Sequence, residues 1–204
     1  GTSVGLALET DYPHDGVIHL TVRPSQPVRF TVYLRIPAWV ERGILTVEDE
    51  PIQEVGGGSY LALKRFWQAA TEVRLELEMP VRALLSRPEI AANRGQVAFA
   101  RGPLIYCAEQ ADSEISVEDL CVSGKMDAIL EASEAAWHPD FLGGCHVLRM
   151  PTFRFRFLEE NGGWPYFNPT SQTIEMVCAT MIPYYARANR NASSQWVTLI
   201  PMSQ

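Results

Sequence analysis

The 204 residues contain no pair of cysteines within a few positions of each other: Cys107, Cys121, Cys145 and Cys178 stand singly. That spacing excludes zinc ribbons and Cys-x-x-Cys redox motifs, so no metal site is expected. There is also no run of Lys and Arg, and 17 basic residues against 24 acidic ones give a formal net charge of -7. Such a chain repels a phosphate backbone, and nucleic acid is not an expected partner. No apolar stretch reaches the roughly 18 residues a membrane-crossing helix needs, so no membrane partner is expected. The opening Gly1-Thr2-Ser3-Val4-Gly5 lacks a basic region and a hydrophobic leader. It reads as an artificial or processed edge and leaves the compartment open, with the cytoplasm favoured. Repeats and low-complexity tracts are absent too.

Catalytic signatures are as scarce. There is no Gly-x-Ser-x-Gly elbow, and Gly56-Gly57-Gly58 has neither a following Lys-Ser/Thr pair nor a strand-to-helix context. It reads as a flexible loop and not as a phosphate cradle. His14, His19, His138 and His146 lie in no catalytic context and are read as turn or strand-surface residues. His14 and His19 could meet across the Asp15-Gly16 turn, but two imidazoles without a third ligand hold a metal weakly. A glycosidase needs two carboxylates about 5 to 9 Å apart, a distance sequence cannot show. Asp11 with Asp15, and Glu159 with Glu160, are read as turn formers and solvated edge charges.

What is present is the composition of a globular protein, 47% hydrophobic and 20% charged, enough for one large or two small domains. The main signal is short runs of period-two alternation. Residues 17–23 and 28–36 read as antiparallel neighbours joined at Pro24-Ser25-Gln26-Pro27. Further strands are expected over 44–48, 60–65, 73–78, 81–86, 96–101, 104–108, 145–150, 152–158, 173–182 and 195–200. Such a series suggests a sandwich. Asn93-Arg94-Gly95 and Asn161-Gly162-Gly163 read as turns. Pro103 lacks the amide a central ladder needs, so Arg101-Gly102-Pro103 reads as a corner between sheets. Arg101 is expected to bring its guanidinium to a carboxylate or to free carbonyls there.

The cysteines sit in apolar stretches and read as small buried hydrophobes, while two disulfides of unassigned connectivity stay open. Aromatics make up 10% of the chain. Trp39, Trp67, Trp137, Trp164 and Trp196, with Tyr166 and Phe167, are candidates for stacking sugar rings in a carbohydrate-binding module. Core or domain-seam packing is the favoured reading, since Trp196 falls inside a strand. Asn191-Ala192-Ser193 matches the glycosylation sequon, which matters only in a eukaryotic secreted protein.

Three segments carry more than strand patterning: Thr10-Asp11-Tyr12-Pro13-His14-Asp15-Gly16, the stretch from Asn93-Arg94-Gly95 through Arg101-Gly102-Pro103-Leu104-Ile105-Tyr106-Cys107, and Ile182-Pro183-Tyr184-Tyr185-Ala186-Arg187-Ala188-Asn189-Arg190. With Leu34-Arg35-Ile36-Pro37-Ala38-Trp39 and Phe141-Leu142-Gly143-Gly144, they resemble the C-terminal part of glycoside hydrolase family 127, the β-L-arabinofuranosidases. The resemblance covers nearly the whole chain. It implies an N-terminal (α/α)6 catalytic barrel, with a cysteine nucleophile in a zinc site of glutamate and cysteines that includes an adjacent Cys-Cys pair. No position here matches that apparatus, which would lie upstream of Thr10. No catalytic, cofactor-binding or metal-binding residue is therefore assigned, and zinc is implied only for the barrel.

The implied fold is all-β: a jelly-roll-like β-sandwich of residues 1–108 plus 175–204, with a second, smaller β-rich domain inserted over 109–174. The acidic shift near Glu109 agrees with that boundary. Residues 126–137 look helical in composition, but the family counterpart is a strand, and they are expected to be extended. Arg187 stands where family members usually place Trp, and Asn191-Ala192 replaces a Gly-containing turn, which puts the packing of the last hairpin in question. The chain is thus expected to be an accessory region, inactive alone, with the catalytic barrel as its partner. The alternative is a carbohydrate-binding module. A face that has lost the barrel should expose apolar side chains and could pair two copies as a homodimer.

Overall fold

A computed structural model describes residues 1–48, 50–157, 172–190 and 195–203. The expectations placed on Glu159, Glu160, Asn161-Gly162-Gly163, Trp164, Tyr166, Phe167 and the sequon at Asn191 lie outside the described residues. The chain is all-β and divides into two contiguous units, Gly1–Pro80 and Val81–Gln204. This corrects the expected division.

Among the described residues the first unit holds seven strands: β1 (Val4–Thr10), β2 (Val17–Pro24), β3 (Val28–Ile36), β4 (Gly43–Val47), β5 (Glu50–Val55), β6 (Ser59–Trp67) and β7 (Thr71–Leu77). Five form an antiparallel sheet in the order β1-β2-β7-β4-β5, and among the described residues β3 pairs only with β6. Strands β2 and β3 are therefore not a hairpin: at Pro24–Pro27 the chain crosses from one sheet to the other. Alternation fixes which faces meet. In β7, Thr71, Val73, Leu75 and Leu77 are buried while Glu72 and Arg74 face solvent. Val73, Leu75 and Leu77 join Leu20, Val22, Leu45, Val47, Ile36, Leu63 and Trp67 in one core. Trp67 donates its indole N–H to the carbonyl of Phe30 at 3.1 Å and stacks on the Phe30 ring at 5.2 Å. The polar edge of the largest core residue is thereby satisfied without water.

Two glycines here are dictated by close approach. A Cβ on Gly16 would lie 2.0 Å from the carbonyl oxygen of Leu77, and one on Gly57 would lie 2.4 Å from that of Pro37. The Gly57 amide donates to Val40 and the Gly58 amide to Ile36. The Gly56–Gly58 segment is thus a pinned turn, which corrects the expected flexible loop.

The second unit comprises β8 (Val81–Leu85), β9 (Gln96–Arg101), β10 (Leu104–Glu109), β11 (Val122–Ser123), α1 (Met126–Glu131), β12 (Glu134–His138), β13 (Cys145–Phe157), β14 (Gln172–Pro183), β15 (Trp196–Val197) and β16 (Ile200–Ser203). One sheet runs β11-β16-β9-β10-β14-β13-β12, with β8 also on β9 and β15 also on β10. Residues 109–174 are not an inserted domain. Strand β13, from that stretch, pairs with β14, which pairs with β10. Phe99 and Tyr106 share a core with Leu148, Met150 and Met181. The composition shift at Glu109 marks the loops after β10 and no boundary.

Two further expectations are corrected. Residues 126–131 are helical, because Ile129 enters the core, and only Glu134–His138 is extended. Strands β9 and β10 pair antiparallel across Gly102-Pro103, with Arg101 opposite Leu104. Gly102 has φ +54°, the sign a two-residue hairpin turn needs at its first central position. Pro103 therefore sits in a tight hairpin within one sheet and makes no corner.

Candidate functional site

In the second unit three of the motif segments converge. Antiparallel pairing of β10 with β14 places Tyr106 opposite Pro183, beside the turn 184–190, and β13 starts at Cys145 directly after Phe141-Leu142-Gly143-Gly144. Leu142, Gly143 and Gly144 all have positive φ, at +53°, +81° and +95°. A Cβ on Gly144 would lie 3.0 Å from the Trp137 ring, so this tight loop is shaped around that indole.

Tyr106, Cys107, Ala108 and Glu109 are all buried, as expected for a strand covered on both faces. Glu109 is the exception in chemistry: a carboxylate 1% exposed. Burying that charge is costly unless it is paired and hydrogen-bonded. The Ala188 amide donates to its Oε1 at 2.7 Å, and Arg190 Nη2 donates to its Oε2. Arg190 also holds Asp112, with Nη1 and Nη2 each 2.5 Å from a carboxylate oxygen, and lies over the Phe141 ring at 5.0 Å. These carboxylate bonds hold the Arg190 guanidinium well above its ordinary value, Asp112 contributing most. Ala188 sits at φ +59°, a backbone strain that serves to aim its amide at Glu109. Both carboxylates are therefore occupied by one fork, an arrangement suited to fastening and unsuited to acid–base exchange.

The neighbouring thiols are held as thiols. Burial pushes Cys107 up to about 11, with Glu109 adding to it, and burial also raises Cys145 and Cys121. All four cysteines are free. Cys178 is exposed, which corrects its reading as a buried hydrophobe: it alternates onto the same face of β14 as exposed Met176 and Ile174. Arg101 approaches Nδ1 of His146 at 3.4 Å, and His146 meets Trp137 edge-on at 5.3 Å. The Tyr106 phenol is buried without a hydrogen-bond partner among the described residues, and burial raises its pKa.

The remaining candidates are dispersed. Trp67 is core, whereas Trp137 and Trp196 are 48% and 40% exposed; β15 is only two residues long and does not bury Trp196. Arg187 lies 3.9 Å over Tyr184 and 5.3 Å from the Trp196 ring, so its guanidinium packs against aromatic rings in the last hairpin. His19 faces Glu9 and Arg74 in the first unit's sheet. His138 meets Phe141 edge-on. Asp15 Oδ1 accepts the Val17 amide at 2.8 Å and Asp11 accepts the His14 amide through its carbonyl, both closing the turn. Among the described residues no group of three His, Cys, Asp or Glu side chains is placed to hold a metal ion. Sequence reasoning missed Glu109, Asp112 and Arg190 as a unit; a lone acid after the apolar run 104–108 was the available signal.

Comparison with known proteins agrees with this division. The Beta-L-arabinofuranosidase, GH127 middle domain, matches residues 1–79, and the Glycoside hydrolase family 127 C-terminal domain matches residues 81–199. A non-reducing end beta-L-arabinofuranosidase of Bifidobacterium longum subsp. longum is 32% identical over 196 residues, covering 91% of this chain. The crystal structure of a GH127 beta-L-arabinofuranosidase from Geobacillus stearothermophilus T6 superimposes on 100% of the chain with TM-score 0.88 and 32% identity. A further solved glycoside hydrolase covers 98% of it with TM-score 0.79 and 25% identity. The chain spans 29% of the length of the Bifidobacterium protein and 31% and 32% of the two solved chains. The chain belongs to glycoside hydrolase family 127, and what it carries of that family is the middle and C-terminal domains.

Proposed function

We propose that this chain is the non-catalytic accessory region of a glycoside hydrolase acting on a furanoside such as β-L-arabinofuranose, and that it supports an (α/α)6 catalytic barrel. The observation that carries the reading is the match of two accessory domains over residues 1–199, at about a third of the length of the similar enzymes. The chemistry of the motif cluster supports it. Glu109 and Asp112 are consumed by Arg190, and Cys107 and Cys145 are raised by burial, so the motif cluster offers neither a free carboxylate pair nor a thiolate.

The first unit supplies a place for a partner. Strand β1 pairs with β2 so that Leu6 lies opposite Val22 and Leu8 opposite Leu20, which puts them on the core face of the sheet. Yet Leu6 and Leu8 are 62% and 64% exposed. An inner-face strip left uncovered is what a second body would complete.

The test is turnover of a chromogenic β-L-arabinofuranoside by the 204-residue chain, with and without zinc and thiol. None is expected, and catalysis at a rate above a heat-denatured control would overturn the assignment. Light scattering addresses the strip: self-association of the wild-type chain is expected to vanish in Leu6→Asp/Leu8→Asp. A wild-type chain that stays monomeric at high concentration would argue against an uncovered seam.

A further inference from the structure

The outward face of the β3–β6 ladder is chemically unlike the rest of its unit. Register places Arg35 beside Tyr60, Tyr33 beside Ala62, Thr31 beside Lys64, and Arg29 beside Phe66. Alternation sends all eight to the face opposite Phe30, Val32, Leu34 and Leu63, which pack on the core. Tyr33 and Tyr60 are each 66% exposed and Phe66 is 46% exposed. Arg29 lies 5.7 Å over the Phe66 ring. No residue of this face is acidic, and Arg29, Arg35 and Lys64 have no ion-pair partner among the described residues. Residues 1–80 contain seven Lys and Arg against eleven Asp and Glu, so three of seven cations gather on one face of an acidic unit. The outer face of the five-stranded sheet, by contrast, mixes signs: Glu9, Glu72 and Glu76 stand among Arg23 and Arg74.

Each rung offers a ring, a cation or both, and rungs repeat every ~7 Å along the strands, for a total of roughly 20 Å. Tyr33 and Tyr60 are diagonal neighbours, with the small Ala62 leaving the Tyr33 ring open from the side. A linear ligand would need apolar ring faces to stack on the aromatics and carboxylates to meet the cations, in repeated alternation. A polypeptide carboxylate would satisfy the cations and leave the three aromatic faces idle. A nucleic acid would bring a dense phosphate charge against a net negative unit.

We propose that the outer face of β3–β6 is a binding platform for a uronic-acid-bearing oligosaccharide. The proposal rests on the reading of the chain as part of a glycan-acting protein, and it adds a ligand class and six residues that reading does not assign. The platform stacks sugar rings on Tyr33, Tyr60 and Phe66 and pairs carboxylates with Arg29, Arg35 and Lys64.

The experiment is calorimetric titration of the 204-residue chain with oligogalacturonides, neutral arabino-oligosaccharides and polyglutamate, at two salt concentrations. Saturable binding is expected for the oligogalacturonide, at least about tenfold tighter than for the neutral sugar and weaker at high salt. Tyr33→Ala/Tyr60→Ala and Arg35→Gln/Lys64→Gln should each weaken it about tenfold, with melting temperatures unchanged because all four positions face solvent. Absence of saturation, equal affinity for the neutral sugar, equal affinity for polyglutamate, or folded double variants that bind like wild type would each overturn the proposal. None of these outcomes bears on turnover or on the covering of Leu6 and Leu8, which decide the accessory reading separately.

Discussion

Removing Arg190 tests whether the Glu109 fork holds the second unit together. In Arg190→Ala the Glu109 carboxylate, 1% exposed, keeps the Ala188 amide at 2.7 Å and loses the one cation paired with it among the described residues. Breaking a buried pair by deleting one partner costs about 3–5 kcal/mol, and the surviving amide places this case near the lower figure. For a domain of this size about 3 kcal/mol lowers the melting temperature on the order of 10 °C. Glu109→Gln removes the charge and keeps an acceptor for Ala188, so it should cost less. Adding Arg190→Ala to Glu109→Gln should then cost less than Arg190→Ala alone, since the fully buried Glu109 charge is gone and only Asp112, 13% exposed, loses its cation. Calorimetry or chemical denaturation of the four chains measures the cycle. If Arg190→Ala melts within a degree of wild type, or the two substitutions simply add, the fork is ornamental and the reasoning fails.

Three further outcomes can be checked with the same protein. Gly16→Ala should destabilise the first unit by about 3 kcal/mol or more, because its Cβ would meet the Leu77 carbonyl at 2.0 Å and backbone has to move; Gly56→Ala, with nothing within 4 Å, should melt close to wild type. The buried thiol gives a pH signature. A thiol raised in the folded state contributes fully below the unfolded value of about 8.5 and loses that contribution as pH rises through the folded value. With Cys107 pushed up to about 11, stability should fall by about 3 kcal/mol between those limits and level off above, and Cys107→Ala should flatten the slope. In labelling of the native chain, exposed Cys178 should react first and buried Cys107 and Cys145 last; rapid native labelling of Cys107 would contradict its burial.

Local patterning made most strands legible. Phe30, Val32, Leu34 and Ile36 alternate cleanly with polar neighbours, and β3 spans the expected 28–36. The same logic could have found β1, where Val4, Leu6 and Leu8 alternate. What alternation cannot supply is the partner: β2 and β3 look like a hairpin, yet each pairs elsewhere, because sheet membership is decided by non-local packing. A Pro in a run looked like a corner and proved to be half of a two-residue turn. The composition shift at Glu109 looked like a domain edge, whereas the edge falls at Pro80, where no charge or complexity changes. Of the motif cluster, the segments were visible and their meeting was not. Glu109 and Arg190 are 81 positions apart, and only the pairing of β10 with β14 brings their turns together.

That separation has a consequence for how the protein is made. Most of the second sheet can assemble as its strands emerge from the ribosome, but Glu109 remains without its cation until Arg190 has been synthesised, and β9 lacks its β16 neighbour until Ile200–Ser203 follows. Until that moment the nascent chain carries an unquenched acid in an apolar strand and an open sheet edge. Translation products ending before Arg190 should therefore be poorly soluble, because the partners that quench Glu109 and cover β9 are missing from them.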